Sequence, residues 1–344
     1  MIRVFLTGKH AHRTPLSYRA LDPLWADTIR LVDQPDQADL YLFSHVLDIR
    51  EAPREVVLDW RRRRCPVVLL SEEPFWDTIW GRRPLDPLIY VDTPFGDLPV
   101  VQINHQTSSL FHFETIPYYL LTNPRFERTY TRLFRRNMAL SADAWQAAFA
   151  ARQDDIVYMF ERRPEPFHDV AWPQGDVIGL CAWRTRLAEA KTETNVVRLG
   201  RSWQEGVPRR QELADWYQDK IDSLDGRARI LGSLENTHQP HYITEKFFDA
   251  FACGAVPIYY ASPTHRIHTL SVPSASWINL FGLTPQEGAR RLAEWRVSTE
   301  IMEAYREAQQ CLGALLGTSA NWNAERDRLA RALPADLQRV LEEA

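Results

Sequence analysis

Short, mainly apolar runs of four or five residues recur in both halves of this chain, each closed by polar or turn residues, and alternate with stretches of helical spacing. In the first half they are Ile2 to Leu6, Leu40 to Phe43 and Val67 to Leu70. Continuous runs of this length suit strands buried on both faces, the condition of a parallel sheet covered by helices. Leu133 to Arg152 then has helical spacing, and Ile156 to Phe160 opens a new strand. The second half runs Val177 to Leu180, a helix from about Arg184 to Ala190, Val196 to Leu199, and a helix from about Arg210 to Leu224. Ala228 to Leu231, a helix over Thr244 to Cys253, Val256 to Tyr260 and Trp277 to Leu280 follow. Such alternation predicts doubly wound α/β sheets. Two lobes of this kind facing each other place a cleft between the carboxyl ends of their strands, where open α/β sheets bind ligands.

A chain of 344 residues suggests roughly two domains. The Pro-rich stretch from Arg163 to Pro173 lies near the expected join. The division predicted is 1–153 for the first lobe, 154–320 for the second and 321–344 for a helical tail. Lys and Arg number 41 against 45 Asp and Glu, a formal charge of -4. Nothing in that balance draws nucleic acid or an anionic membrane, so any anion site must be local. The opening residues Met1 to Gly8 are too short for a signal core, and no later run approaches a membrane span. The expectation is a cytoplasmic protein with at most peripheral membrane association. Cys65, Cys181, Cys253 and Cys311 are widely spaced, show no metal-ligand spacing and are expected to be buried thiols.

The densest chemical information lies between Leu234 and Tyr260. A strand end runs into Glu235 and Asn236, a loop of about eight residues follows, and Thr244 stands where it can cap a helix with Phe247, Phe248, Ala250 and Phe251 on its apolar side. Gly254 stops that helix. Free N–H groups at the helix opening favour an anion, yet Lys246 adds a positive charge there, against the dipole. A cation so placed points to a bound anion, and Glu245 beside it can accept hydrogen bonds from sugar hydroxyls. A plain helix start with a solvated lysine is the alternative.

The segment resembles the donor-binding signature of the family-10 fucosyltransferases: a Glu-Asn pair, a short loop, Tyr-Ile/Val-Thr-Glu-Lys, a helix, and a small residue before Val-Pro-Ile/Val. Glu235, Asn236, Tyr242, Ile243, Thr244, Glu245, Lys246, Ala255, Val256, Pro257 and Ile258 occupy those positions. Upstream, the family's diphosphate-holding arginine at a helix opening corresponds to Arg184, with Arg186 as second choice. Arginine suits phosphate because its planar fork donates two bonds at once. In the first lobe, Val67 to Pro74 is a strand running into an acidic turn, and Glu72 matches the family's catalytic Glu, with Glu73 next to it as a secondary candidate. Neighbouring carboxylates can raise one another's pKa, as a base requires; a solvated turn before Pro74 is the bland reading. Phe113 to Tyr119 resembles the family's Pro-x-Tyr stretch. The chain departs from the family at Arg198 to Trp203, where members carry a glycine run.

The resemblance implies a GT-B architecture of two Rossmann-like lobes and an inverting single displacement. L-fucose would pass from GDP-fucose to a glycan hydroxyl, with α-1,3 linkage to an N-acetylglucosamine-containing saccharide commonest and surface-polysaccharide (lipopolysaccharide) precursors as the setting. Glu72 would be the base; Lys246 and Arg184 would stabilise the departing diphosphate; Asn236, Tyr242 and Glu245 would orient sugar and ribose. No Asp-x-Asp stands at a strand end, and the family needs no bound metal, so no metal or cofactor is expected beyond the donor. Two rivals remain: a transferase of the same frame with another donor, and a non-catalytic carbohydrate binder using Trp76, Trp80, Trp183 and Trp203 as platforms.

Overall fold

Ile2–Leu6 (β1) begins a six-stranded sheet completed by β2 (Ile29–Leu31), β3 (Leu40–Phe43), β4 (Val67–Leu70), β5 (Leu88–Val91) and β6 (Leu98–Ile103). The computed structural model describes residues 1–191, 194–207 and 212–343. The strand order is β2-β1-β3-β4-β6-β5, with all neighbours parallel except the β5–β6 pair. Every residue of β3 and β4 is buried, as continuous apolar runs demand. From β1 the chain goes to β2 on one side and returns to β3 on the other. The carboxyl ends of β1 and β3 therefore form the switch point where ligands of such sheets bind.

The later strands are β7 (Asp154–Met159), β8 (Ala171–Trp172), β9 (Val177–Gly179), β10 (Val196–Leu199), β11 (Ala228–Gly232), β12 (Thr237–His238), β13 (Val256–Tyr259) and β14 (Ile278–Asn279). A parallel sheet runs β10-β7-β11-β13-β14, and its switch point falls between β7 and β11. The expected Val177 strand lies outside this sheet, in a small antiparallel one ordered β12-β9-β8. The helix expected from about Arg210 is observed over Trp216–Leu224, and its expected first two residues lie outside the described ones.

Two units emerge, Met1–Pro124 with Ala320–Ala344, and Arg125–Ser319, each a Rossmann-like α/β layer. The first join thus falls after residue 124 and not after residue 153 as expected. Helices Pro124–Met138 and Ala142–Ala150 explain the shift, because they pack on the second unit. The Tyr130 hydroxyl donates to Asp249 (2.8 Å), Asn137 Nδ2 donates to the Phe251 carbonyl (3.0 Å), and the Trp145 ring meets Tyr305 edge-on at 5.0 Å. The expected tail is a long helix, Ser319–Glu342, which belongs to the first unit. There the buried Glu325 accepts the backbone N–H groups of Glu114 and Thr115, each at 2.5 Å.

The helix after the donor-type segment spans Glu245–Ala252. Phe247 is fully buried among Phe248, Phe251, Tyr259 and Trp277. Gly254 ends the helix at φ +78, and a Cβ there would lie 2.8 Å from Arg152 Nη2 and 3.3 Å from the Trp145 ring. Gly254→Ala is therefore expected to cost roughly 1–3 kcal/mol, read as a lower urea midpoint with unchanged slope. No helix among the described residues is long and apolar enough to cross a membrane. Of the four free cysteines, Cys181 and Cys253 are buried, whereas Cys65 and Cys311 are only half-buried.

Candidate active site

In the second unit the chain leaves β11 at the switch point and turns through Ser233, Leu234, Glu235 and Asn236. The Glu235 carboxylate is buried and accepts the Thr244 backbone N–H (2.8 Å), the Thr244 hydroxyl (2.8 Å) and Lys246 Nζ (2.7 Å). Thr244 holds the N-cap position, but its hydroxyl is turned to Glu235 and makes no capping bond to the helix. The expected Thr cap is thus replaced by a carboxylate supplied from the strand end. This corrects the electrostatic expectation as well. The anion that answers Lys246 inside the protein is Glu235, and together Glu235 and Glu245 raise the lysine's pKa although burial opposes it. The ammonium spends one N–H on Glu235 and one on the Thr244 hydroxyl (2.7 Å), which leaves its third donor available.

Glu245 is held from beneath. Lys220, on the buried face of helix Trp216–Leu224, places its Nζ 3.1 Å from Glu245 Oε1 and 2.6 Å from Asp249 Oδ2. Tyr130 and Tyr217 donate to Asp249 Oδ1 at 2.8 and 3.1 Å. Burial works against the Glu245 charge, but Lys220 and Lys246 outweigh it and hold the carboxyl below its usual range. Burial dominates at Asp249 and pushes its carboxyl up. Glu245 Oε2 has no hydrogen-bond partner among the described residues, and Glu245 lines a cavity of about 90 Å³ with Met159, Trp216, Lys220 and Lys246. A buried acceptor left without a donor is costly, so such an atom implies something that donates to it.

Arg184 gives the complementary signal. Only 2% exposed, its guanidinium crosses the switch point, with Nη1 donating to the Leu234 carbonyl (3.1 Å) and the charge lying over the Phe160 ring at the end of β7. Its Nε has no partner among the described residues. Arg186, the second choice, does not join this group, because it is paired with Asp169 (2.9 Å) with 40% of its side chain exposed. The half-buried Asn236 accepts the Leu180 N–H through its backbone carbonyl, and Tyr242 is buried in the loop ahead of the helix. Sequence reasoning missed Lys220, Asp249 and Tyr217. The available signal was the placement of Lys220 in line with the apolar Tyr217, Ile221 and Leu224 of one helix face.

In the first unit, Glu72 follows β4 as expected, but not as a carboxylate open to solvent. It is 3% exposed and accepts Arg13 Nε (2.8 Å), the Tyr18 hydroxyl (2.5 Å) and the Tyr118 hydroxyl (2.7 Å). The solvated-turn reading fails for the same reason. Glu73 is also buried; it accepts the Phe75 N–H (3.4 Å) and lies 3.7 Å from Arg13. Tyr118 comes from the stretch Phe113 to Tyr119, so the fold joins two segments that the sequence marked separately.

Beside this group, and unmarked by the sequence, His10, His45 and Asp48 gather after β1 and β3. The His45 ring lies 4.5 Å from those of His10 and Trp76, and its Nδ1 accepts the Leu47 N–H (3.0 Å). Burial, reinforced by His10, lowers its pKa to about 4. A histidine depressed in the folded state stabilises fully above the ordinary imidazole range of about 6.5 and loses that contribution as pH falls toward its folded value. Its share is at most about 3 kcal/mol. His45→Gln should therefore lose less melting temperature than the wild type between these two pH values; equal losses would contradict the reading.

Residues 185–312 match the model described as glycosyltransferase family 10 (fucosyltransferase), C-terminal part. An alpha-(1,3)-fucosyltransferase B of Drosophila melanogaster is 24% identical over 228 residues, 62% of this chain and 50% of its own length. The likeness in sequence is thus to family-10 glycosyltransferases. The chain spans about half the length of that curated relative. Arg184 stands one residue before the matched family segment, and Glu235, Asn236, Tyr242, Thr244, Glu245 and Lys246 lie inside it. Among solved structures, an alpha1,3-fucosyltransferase with GDP-fucose covers 90% of this chain and 81% of its own at 13% identity and a TM-score of 0.45. An Anabaena HepE structure in complex with UDP-glucose covers 92% and 82% at 11% identity and a TM-score of 0.39.

Proposed function

We propose that this family-10 protein is an inverting fucosyltransferase, moving L-fucose from GDP-fucose to a glycan hydroxyl, with α-1,3 linkage to an N-acetylglucosamine-containing saccharide. The observation that carries the proposal is the pair of buried, unpartnered polar atoms beside the carboxyl end of β11. Arg184 Nε lacks an acceptor and Glu245 Oε2 lacks a donor. A nucleoside-diphosphate sugar supplies both, with phosphate oxygens for the guanidinium and hydroxyls for the carboxylate. As the C1–O bond to the diphosphate breaks, Arg184 and the remaining Lys246 N–H meet the growing negative charge in a site shielded from water. Glu235 holds Thr244 and Lys246 in place. On the first unit Glu72 anchors Arg13 and Tyr18 through Oε1 and Tyr118 through Oε2, which leaves one lone pair of Oε2 to accept a hydroxyl proton. The reading as a carbohydrate binder on tryptophan platforms has less support, since Trp183 is buried and its N–H is spent on the Leu283 carbonyl (3.1 Å).

The test is thermal unfolding with GDP, UDP, CMP and GDP-fucose, paired with transfer to a panel of glycans. A ligand at one hundred times its dissociation constant stabilises the folded state by about 2.7 kcal/mol. GDP and GDP-fucose are expected to raise the melting temperature and UDP and CMP to leave it unchanged. Stabilisation by UDP alone would assign a different donor.

A further inference from the structure

We infer that Lys220 is a positioning residue for the donor: by holding one oxygen of Glu245 it leaves the other turned to a hydroxyl of the nucleotide sugar. The inference rests on the donor binding proposed above. Lys220 Nζ lies 3.1 Å from Glu245 Oε1, and Lys246 Nζ lies 3.9 Å from the same oxygen. Oε2, by contrast, is buried at the wall of the cavity of about 90 Å³ and has no hydrogen-bond partner among the described residues. A carboxylate can only accept, so the atom that satisfies Oε2 must be a donor, as a sugar hydroxyl is.

Lys220 acts through Glu245 and not on the ligand itself. Its ammonium bridges Glu245 Oε1 and Asp249 Oδ2 (2.6 Å), and both carboxylates are buried, so a move toward a ligand would strand two charges. The stem is fixed as well. Tyr217, Ile221 and Leu224 are buried on the same face of helix Trp216–Leu224, and the Tyr217 ring meets Phe126 edge-on at 4.8 Å. Asp249 is fixed in turn by the hydroxyls of Tyr130 and Tyr217 on Oδ1. Three helices, Pro124–Met138, Trp216–Leu224 and Glu245–Ala252, therefore meet at one ammonium. The titratable groups that act on Glu245 or feel its charge are Lys220, Lys246, Asp249, Tyr130, Tyr217 and Tyr259, with Glu235 behind Lys246. Burial acts most strongly on the Glu245 carboxyl and against its charge, and Lys220 is the largest of the attractions that overcome it. Without that ammonium, burial pushes the carboxyl up, so that the acceptor form returns only as pH rises.

The test is titration calorimetry of the full chain with GDP-fucose. No binding by the wild type would sink the proposed function and not this inference alone. Given wild-type binding, Lys220→Met is expected to weaken it about 10- to 100-fold, the worth of one hydrogen bond to a charged group, and unchanged affinity would overturn the inference. The loss should be larger at about pH 6 than at about pH 8, since the carboxyl freed of its cation is neutral at the lower pH. In Lys220→Met/Asp249→Asn the urea midpoint should return in part while donor affinity stays at the Lys220→Met level. Affinity that returns in step with stability would mark a lysine that only supports the fold, and would overturn the inference. Lys220→Met added to Glu245→Gln should cost no further affinity, because the lysine acts through that carboxylate; a second full loss would contradict this. Should the Lys220 variants not fold, the wild-type complex decides. Glu245 Oε1 is expected to stay on Lys220 Nζ while Oε2 takes the hydroxyl, and a carboxylate that has left Lys220 for the donor would overturn the inference.

Discussion

An Arg184→Ala protein is expected to bind GDP about 10²- to 10⁴-fold more weakly than the wild type and to lose transfer at subsaturating donor. Each hydrogen bond from a charged donor contributes about 1.5–3 kcal/mol, and a guanidinium can make two such bonds to a diphosphate. A tenfold change in affinity corresponds to about 1.4 kcal/mol, which sets the range. The effect should be this large because the guanidinium is buried before any ligand arrives, so its desolvation has already been met by the fold. Arg184→Lys restores the charge without the fork and should recover only part of the loss. Arg186→Ala serves as the control, since Arg186 is bound to Asp169 at the surface. Titration calorimetry with GDP checks both. Equal losses at the two positions would refute the choice between them.

Lys220→Met is expected to destabilise the second unit by about 3–5 kcal/mol, because it strands Glu245 and Asp249 without their shared cation. Against a total stability of about 5–15 kcal/mol that is a large share. Adding Asp249→Asn should return part of the loss, since it removes one uncompensated carboxylate while Tyr130 and Tyr217 keep an acceptor. Urea unfolding of the single and double variants measures this directly. A Lys220→Met midpoint matching the wild type would mean that the carboxylates do not depend on this lysine.

Where a run of residues had one burial state, the sequence disclosed it well. Leu40–Phe43, Val67–Leu70 and Val196–Leu199 are strands with the expected ends. By contrast, β5 is an apolar run, Leu88-Ile89-Tyr90-Val91, whose residues alternate between exposed and buried, so its composition does not disclose its burial, and β6 is broken by Pro99 and Gln102. The lobe boundary was misplaced because the helices from Pro124 to Ala150 look the same in sequence whichever sheet they cover; only the bonds of Tyr130 and Asn137 decide it. At the candidate site, the resemblance to the family signature marked Glu235, Thr244, Glu245 and Lys246 but not their mutual pairing. A lysine beside a helix dipole is read alike whether its anion is a ligand or a glutamate folded back from the preceding strand. The Lys220–Asp249 support and the His10–Asp48 contact join residues far apart in the chain, and no local pattern announces such pairs.

The proposed function requires the carboxyl end of β11 to hold a nucleotide diphosphate between Arg184 and Lys246, with a donor hydroxyl on Glu245. A crystal structure of the full chain with GDP-fucose tests it most directly. Phosphate oxygens are expected within hydrogen-bond distance of Arg184 Nε and Lys246 Nζ, and a sugar or ribose hydroxyl on Glu245 Oε2. Nucleotide bound elsewhere, with those three atoms as they stand in the free protein, would contradict it.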